Sequence, residues 1–304
     1  MSWQPADEAK ADEPKQAALD LVIEPRLRDL GDGFSVRRVL PFAKRRSVGP
    51  FVFFDHFGPT VFAPGQGMDV RPHPHIGLAT ISYLFEGEIM HRDNLGSAQP
   101  IRPGEVNWMT AGRGIAHSER TPPELRPRGS RLHGIQSWVA LPRKFEETAP
   151  QFAHYATAAQ PVIEGEGTTL RLLAGTLLGQ RAPVEVFSGM FYADAAMKAG
   201  ARLELDKEHA ERAAYIVEGA VALEGQRYDK SRMLVFREGA KVILETSEPT
   251  RLMLLGGEAL DGPRHIWWNF VSSSQERIEQ AKKDWKTGQF ARVPGDDELI
   301  PLPE

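Results

Sequence analysis

Two short segments of the sequence each carry a pair of potential metal ligands, and one residue separates the members of each pair. His73 and His75 form the first pair, and His117 and Glu119 form the second. In an extended strand, alternate side chains leave the same face, so both members of a pair can reach one ion. Three imidazole nitrogens and one carboxylate oxygen suit a borderline divalent transition metal.

Each pair taken alone also has a structural explanation. A His-x-His pair on a strand is often exposed, or hydrogen-bonded without any metal. Glycines at positions 77, 112 and 114 would let the backbone turn tightly beside a site, but they could equally serve turns alone. The same spacing on two segments, across several predicted strands, favours one shared site with four ligands.

Segments rich in Val, Ile, Phe and Thr surround both pairs from Val22 to about Ala140, and Gly, Pro, Asp and Asn separate them. This pattern is typical of successive antiparallel strands, and no sustained helical period interrupts it. A weak repeat links the two halves of the chain, because YLFEGEI at 83–89 resembles YIVEGAV at 215–221. We therefore predict an all-β fold of two similar antiparallel barrels in tandem.

The predicted order is a flexible tail over residues 1–20, a first barrel with the metal site over 21–150, and a second barrel over 151–304. The crossover is placed in a stretch rich in Pro, Ala and Gln, where Pro150 and Pro161 interrupt regular strand pairing.

A single helix is predicted near the end of the chain, at about 274–287. The segment SSQE at 273–276 is a capping-box pattern, and Ile278, Ala281 and Trp285 repeat at helical spacing. We expect this apolar stripe to pack on a barrel.

Composition excludes several classes of protein. The 304 residues contain no Cys, which removes disulfides, thiolate nucleophiles and Cys-ligated metal sites. The net charge of −4 lacks the basic footprint of nucleic-acid binding, and apolar runs such as FVFF at 51–54 are far below the roughly 20 residues that span a bilayer. Residues 1–20 also lack the apolar stretch of an export signal. We expect a cytoplasmic monomer with no direct nucleic-acid or membrane partner.

The sequence resembles the pirin family of the cupin superfamily, and in particular its bacterial pirin-like members. The motifs that carry the resemblance are HPHIG at 73–77, YLFEGE at 83–88, PGEVNWMTAGRGIAHSE at 103–119, HGIQSWVALP at 133–142, DHFGP at 55–59 and GPRHIWWNF at 262–270. The resemblance implies a bicupin of two jelly-roll-type barrels, with iron held in the N-terminal barrel.

Carried over residue by residue, the family pattern makes His73, His75, His117 and Glu119 the metal ligands. The general cupin pattern has a glutamate four residues after the second histidine, where this chain has Ala79. That departure is compatible with the pirin arrangement, in which the carboxylate follows the last histidine. Fe(II) is the ion that the resemblance implies, while Zn, Cu, Ni and Mn remain open on ligand chemistry.

The resemblance also implies quercetin 2,3-dioxygenase activity, in which dioxygen opens the ring of a flavonol. Glu119 would then be a metal ligand, or a general base that leaves the metal to accept the flavonol proton. The alternative is a redox-sensing regulator that acts through a protein partner, either a transcription factor or a metabolic enzyme. A metal-stabilised scaffold with no reactive role is the third reading.

The second barrel lacks the ligand pattern of the first. Alignment of the two Glu-Gly turns puts Leu205 and Lys207 at the positions of His73 and His75, and only His209 lies nearby. We therefore predict a second barrel without metal that serves packing.

The remaining polar candidates receive mainly structural interpretations. A pocket role is open for His56, His133 and Gln136, while His91, His154 and His265 are interpreted as structural. The run Arg126, Arg128 and Arg131 is expected to be a solvated loop.

Overall fold

The structure is a computed structural model that describes residues 18–29 and 34–303. Most of the predicted tail, residues 1–17, lies outside the described residues. Among the helices of the described ranges, none is long and apolar enough to cross a membrane.

The strands up to the end of the first barrel are β1 (Leu19–Ile23), β2 (Arg26–Asp29), β3 (Ser35–Leu40), β4 (Phe51–Phe62), β5 (Asp69–His75), β6 (Leu78–Glu86), β7 (Ile89–Asp93), β8 (Ala98–Ile101), β9 (Val106–Thr110), β10 (Ile115–Arg120), β11 (Ser130–Ala140) and β12 (Gln151–Tyr155).

The later strands are β13 (Val162–Gly165), β14 (Thr168–Leu177), β15 (Gln180–Arg181), β16 (Met190–Met197), β17 (Arg202–Leu205), β18 (Glu211–Glu218), β19 (Ala220–Leu223), β20 (Gln226–Asp229), β21 (Met233–Phe236), β22 (Val242–Glu245), β23 (Thr250–Gly257), β24 (His265–Trp267) and β25 (Phe270–Ser272). The helix α1 is Gln275–Lys286, and 3₁₀ turns lie at Arg126–Arg128, Arg143–Phe145 and Thr157–Ala159.

Each half of the molecule contains one large and one small antiparallel sheet. The first half has the orders β12-β9-β6-β11-β4-β3-β2 and β5-β10-β7-β8. The second half has β1-β21-β18-β23-β16-β14-β13, with β15 beside β14, and β17-β22-β19-β20. The orders correspond strand by strand, so the prediction of two similar β-barrels is confirmed.

The two large sheets exchange strands at one edge. Strand β1 pairs with β21, from Leu19 opposite Phe236 to Ile23 opposite Met233. Strand β12 comes from the crossover segment and pairs with β9 of the first barrel. Residues 19–23 therefore belong to the second large sheet, and residues 151–155 belong to the first. The physical reason is that each large sheet leaves an edge that needs a partner strand, and a distant segment supplies it.

The large sheets face each other across a shared core. Tyr83 of the first sheet and Tyr215 of the second are 1% and 0% exposed in the same apolar cluster. The Tyr83 hydroxyl crosses the interface and donates to Asp194 Oδ2 at 2.7 Å, and Arg251 holds the same carboxylate through two hydrogen bonds. The interface therefore buries apolar rings while it satisfies their polar atoms.

The helix and the β24–β25 hairpin pack on the first barrel. Ile278 and Ala281 are fully buried against Ile76 and Phe270, as the helical stripe predicts. The Ser274 hydroxyl caps the helix by accepting from the backbone N–H of Arg277 at 3.2 Å. The end of the chain is thereby brought to the barrel that contains both ligand pairs.

Candidate metal centre

The strand β10 lies between β5 and β7 and brings together three segments of the first barrel. His117 is opposite His73 on β5 and opposite Asp93 on β7. Glu119 is opposite His91. Because alternate residues of neighbouring strands share a face, all of these side chains lie on one side of the small sheet.

Three of the four predicted ligands converge. The ligand nitrogens of His73, His75 and His117 lie within 4.8 Å of one another, and all three residues are buried. Nδ1 of His73 lies 2.8 Å from the Arg71 carbonyl oxygen, and Nδ1 of His75 lies 3.1 Å from the Asn269 carbonyl oxygen. Since carbonyl oxygens only accept, both rings keep the lone pair of Nε2 for a metal.

The charge state of the cluster also suits a cation. Burial lowers the pKa of His73 to about 4, and it lowers the pKa of His75 and His117 well below the ordinary value of 6.5. The rings are therefore neutral at pH 7. Neutral imidazole is the form that binds metals.

The Nε2 atoms of two of these histidines lie at a distance that suits two ligands of one metal ion. Those of His75 and His117 are 3.1 Å apart. Because Nδ1 of His75 donates to a carbonyl, its Nε2 carries a lone pair that can bind a metal or accept a hydrogen from His117 Nε2. At a metal–nitrogen distance of about 2.1 Å, two adjacent ligands at right angles lie about 3 Å apart. The residues therefore fit a divalent transition metal.

Glu119 stands beside this group. Its carboxylate lies within 4.8 Å of ligand atoms of His91 and His117, a second group that overlaps the first at His117. The register of β5 and β10 shifts between His117 and Glu119, so that Glu119 faces Val70. Burial raises the pKa of Glu119, while His91 and the hydrogen bond from Ser82 at 2.9 Å oppose the rise.

His91 lies beside His117 and Glu119 with Asp93 hydrogen-bonded to it, which differs from the structural role expected for His91. His91 and Asp93 are 3% and 0% exposed, and His91 Nδ1 is 3.3 Å from His117 Nδ1. A signal was present, because His91-x-Asp93 has the same spacing as the two predicted pairs.

A cavity of about 400 Å³ opens onto the three histidines. Its walls include Phe53 and Trp138, whose rings stack with centroids 3.9 Å apart, and the Arg38 guanidinium lies 4.5 Å from the Phe53 centroid. Glu119 and Gln136 supply polar atoms to the lining. Such a cavity can accept a flat aromatic molecule by stacking, with its polar edge toward the histidines.

The C-terminal segment forms part of the cavity wall. Ile300 lines the cavity, its N–H donates to the Pro72 carbonyl at 2.9 Å, and its carbonyl accepts from Trp285 Nε1 at 2.9 Å. Arg120 holds Asp296 through two hydrogen bonds of 2.8 Å. The anchors Pro72 and Arg120 directly adjoin His73 and Glu119 in the chain.

Ile300→Ala is expected to weaken binding of a flat aromatic ligand by about 3- to 10-fold, because it removes apolar contact area from the cavity wall. Titration of tryptophan fluorescence with quercetin measures the effect, since Trp138 and Trp268 line the cavity. Leu299→Ala is the matched control, because Leu299 is 47% exposed. An equal loss in both variants would contradict a wall role for Ile300.

The other polar candidates have different surroundings. Gln136 lines the cavity. His56 and His133 lie instead at the interface between the barrels, with their Nε2 atoms 2.7 Å apart and His56 Nδ1 2.8 Å from the Tyr215 hydroxyl. His154 contacts Asn107 Oδ1 at 2.8 Å.

The expected solvated loop is partly ion-paired. Arg126 lies 2.6 Å from Asp69, and Arg131 lies 2.5 Å from Glu86, while Arg128 is exposed. The first contact ties the 3₁₀ turn Arg126–Arg128 to β5, whereas Arg131 lies in β11 and pairs with Glu86 of β6.

Apolar side chains occupy the corresponding part of the second barrel. Leu203 and Leu205 of β17 pair with Leu244 and Val242 of β22, and all four belong to one buried apolar cluster. His209 Nε2 contacts the Thr176 carbonyl at 2.9 Å.

Comparison with known proteins gives consistent matches. Residues 33–139 match the family described as Pirin, and residues 192–291 match the Pirin C-terminal cupin domain. A pirin-like protein of Caulobacter vibrioides is 52% identical over 94% of this chain and 100% of its own length. Mouse pirin is 32% identical over 85% of this chain and 89% of its own. A solved quercetin 2,3-dioxygenase from Acinetobacter baumannii has a TM-score of 0.84 and 32% identity, and covers 93% of this chain and 94% of its own.

Proposed function

Because the chain belongs to the pirin family, we propose that it is a metal-dependent dioxygenase that opens the ring of a flavonol such as quercetin. The observation that carries the proposal is the convergence of three neutral imidazoles at a cavity of about 400 Å³ with aromatic walls. The name of the similar Acinetobacter baumannii protein supports the choice of substrate class.

The metal would be held by Nε2 of His73, His75 and His117, with the Glu119 carboxylate as the fourth, movable ligand. When bound, a redox-active ion supplies a Lewis acid for the deprotonated flavonol oxygen and a centre that reacts with dioxygen. Iron is proposed from the family, since affinity alone would favour copper or zinc at such a donor set.

Glu119 would accept the proton of the flavonol 3-hydroxyl. A carboxylate bound to a cation is a weak base, because the ion stabilises its charged form. The position of Glu119 with His91 and His117, away from the other two histidines, supports a carboxylate that is free to take a proton. Burial raises its pKa, which strengthens it as a base.

Ser82 and Gln136 would hold Glu119 in place for this transfer. The Ser82 hydroxyl lies 2.9 Å from Glu119 Oε1 and 2.8 Å from Gln136 Oε1. One hydroxyl proton cannot serve both oxygens. Rotation of the Gln136 amide lets its N–H donate to Ser82, which then donates to Glu119.

The proposed reaction balances without any reductant. Quercetin and one dioxygen give a depside and carbon monoxide. The C2–C3 and C3–C4 bonds and the O–O bond break, both atoms of dioxygen enter the depside, and C3 leaves with its own oxygen. The proton that Glu119 accepts returns to the depside.

The test is anaerobic loading with Fe(II), followed by addition of quercetin and oxygenated buffer. We expect one dioxygen consumed and one carbon monoxide released per quercetin, with no consumption by metal-free protein. Metal binding without oxygen uptake, with quercetin and other flavonols, would overturn the dioxygenase proposal. Oxygen uptake without carbon monoxide would overturn the proposed ring opening.

A further inference from the structure

Asp93 and His91 form a hydrogen-bonded pair directly behind His117, and we propose that this pair is a positioning device that selects the metal-binding tautomer of His117. The inference rests on the metal site of the proposed function and not on its reaction. A protein that binds metal but leaves quercetin unchanged would leave the inference standing.

Asp93 is a fixed acceptor. Its Oδ1 accepts the backbone N–H groups of Leu95 at 2.9 Å and Ser97 at 3.0 Å. Its Oδ2 is left to face His91 Nε2 at 3.0 Å. Because a carboxylate only accepts, Nε2 of His91 must carry the hydrogen.

The position of the hydrogen on the His91 ring determines the position of the hydrogen on the His117 ring. The His91 ring is held by stacking on Phe152, with centroids 4.2 Å apart and an interplanar angle of 12°. With the hydrogen of the His91 ring on Nε2, its Nδ1 is left as an acceptor that faces His117 Nδ1 at 3.3 Å. His117 therefore carries its hydrogen on Nδ1 and keeps a lone pair on Nε2, the atom that faces His75.

His117 needs such a device more than its two neighbours do. His73 and His75 face backbone carbonyls, which accept in every state. The partner of His117 is another imidazole, which can present either a donor or an acceptor. Asp93, the hydrogen-bond partner of His91, therefore decides which of the two imidazoles donates in the contact between His91 and His117.

Asp93→Asn tests the device with little change in shape. The two backbone N–H groups would hold the amide oxygen, so the amide N–H would point at His91 Nε2. His91 would then carry its hydrogen on Nδ1 and donate to His117, whose own hydrogen would move to Nε2. We expect affinity for Zn(II), measured by chelator competition, to fall by about 10- to 100-fold. In metal-free protein, ¹⁵N NMR of the imidazoles should show both tautomers reversed.

A double variant separates positioning from a general structural effect. Asparagine at position 91 can offer its amide oxygen to His117 and can rotate independently of position 93. We expect Asp93→Asn combined with His91→Asn to bind Zn(II) more tightly than Asp93→Asn alone, by about 5-fold or more. An additive loss in the double variant would overturn the proposal.

Asp194→Asn is the matched control, because Asp194 is another buried carboxylate, 7% exposed, at the interface between the barrels. We expect its affinity for Zn(II) to stay within about 2-fold of the parent protein. Equal losses in Asp93→Asn and Asp194→Asn, or an Asp93→Asn variant with unchanged affinity and unchanged tautomers, would overturn the proposal.

Discussion

His117→Ala is expected to abolish stable metal binding and all metal-dependent turnover. His117 belongs to both groups of candidate ligands, and its Nε2 is 3.1 Å from that of His75. Loss of an outer hydrogen-bonding partner alone lowers metal affinity by about 10- to 100-fold, so loss of a ligand should exceed about 100-fold. Elemental analysis after dialysis and chelator competition measure the effect.

His265→Ala is the control for the removal of an imidazole. His265 is exposed on β24 and should leave metal content unchanged. Circular dichroism and thermal unfolding establish whether His117→Ala is folded. A folded His117→Ala protein that keeps a full equivalent of metal would exclude His117 as a ligand and would remove the basis for the proposed centre.

Glu119→Gln is expected to retain metal and lose about 10²- to 10⁴-fold in turnover, the usual contribution of a general base. Glutamine is close in size and can still accept the hydrogen bond from Ser82, which lies 2.9 Å from Glu119 Oε1. It cannot take up the flavonol proton. Metal content, the affinity for quercetin and the rate of oxygen uptake should be measured on one preparation.

The pattern of losses distinguishes the two roles of Glu119. Retained metal and retained quercetin binding with lost turnover support a base, whereas a parallel loss of metal and turnover supports a permanent ligand. Glu166→Gln is the matched control, because Glu166 is exposed in a turn of the second barrel. Unchanged turnover in Glu119→Gln would refute the base role.

The part of the site that the sequence predicts is the part that depends on local geometry. Side chains alternate between the two faces of a strand, so the direction of each ligand follows from its own strand. This holds for the i, i+2 pair His73 and His75 and for His117. The repeat of YLFEGE and the capping pattern before Ile278 are equally local. All of these expectations agree with the strands, barrels and helix of the structure.

The tertiary structure decided which segments became neighbours. The pairing of β10 with β7 brings His91 and Asp93 behind His117. The register of β5 and β10 shifts after His117, and Glu119 groups with His91 and His117. The tertiary structure also decided that β1 pairs in the second large sheet and that β12 pairs in the first. It likewise placed Ile300 in the cavity wall. The physical reason is that side-chain direction repeats within each strand, whereas strand partners are selected by packing and hydrogen bonding between distant segments.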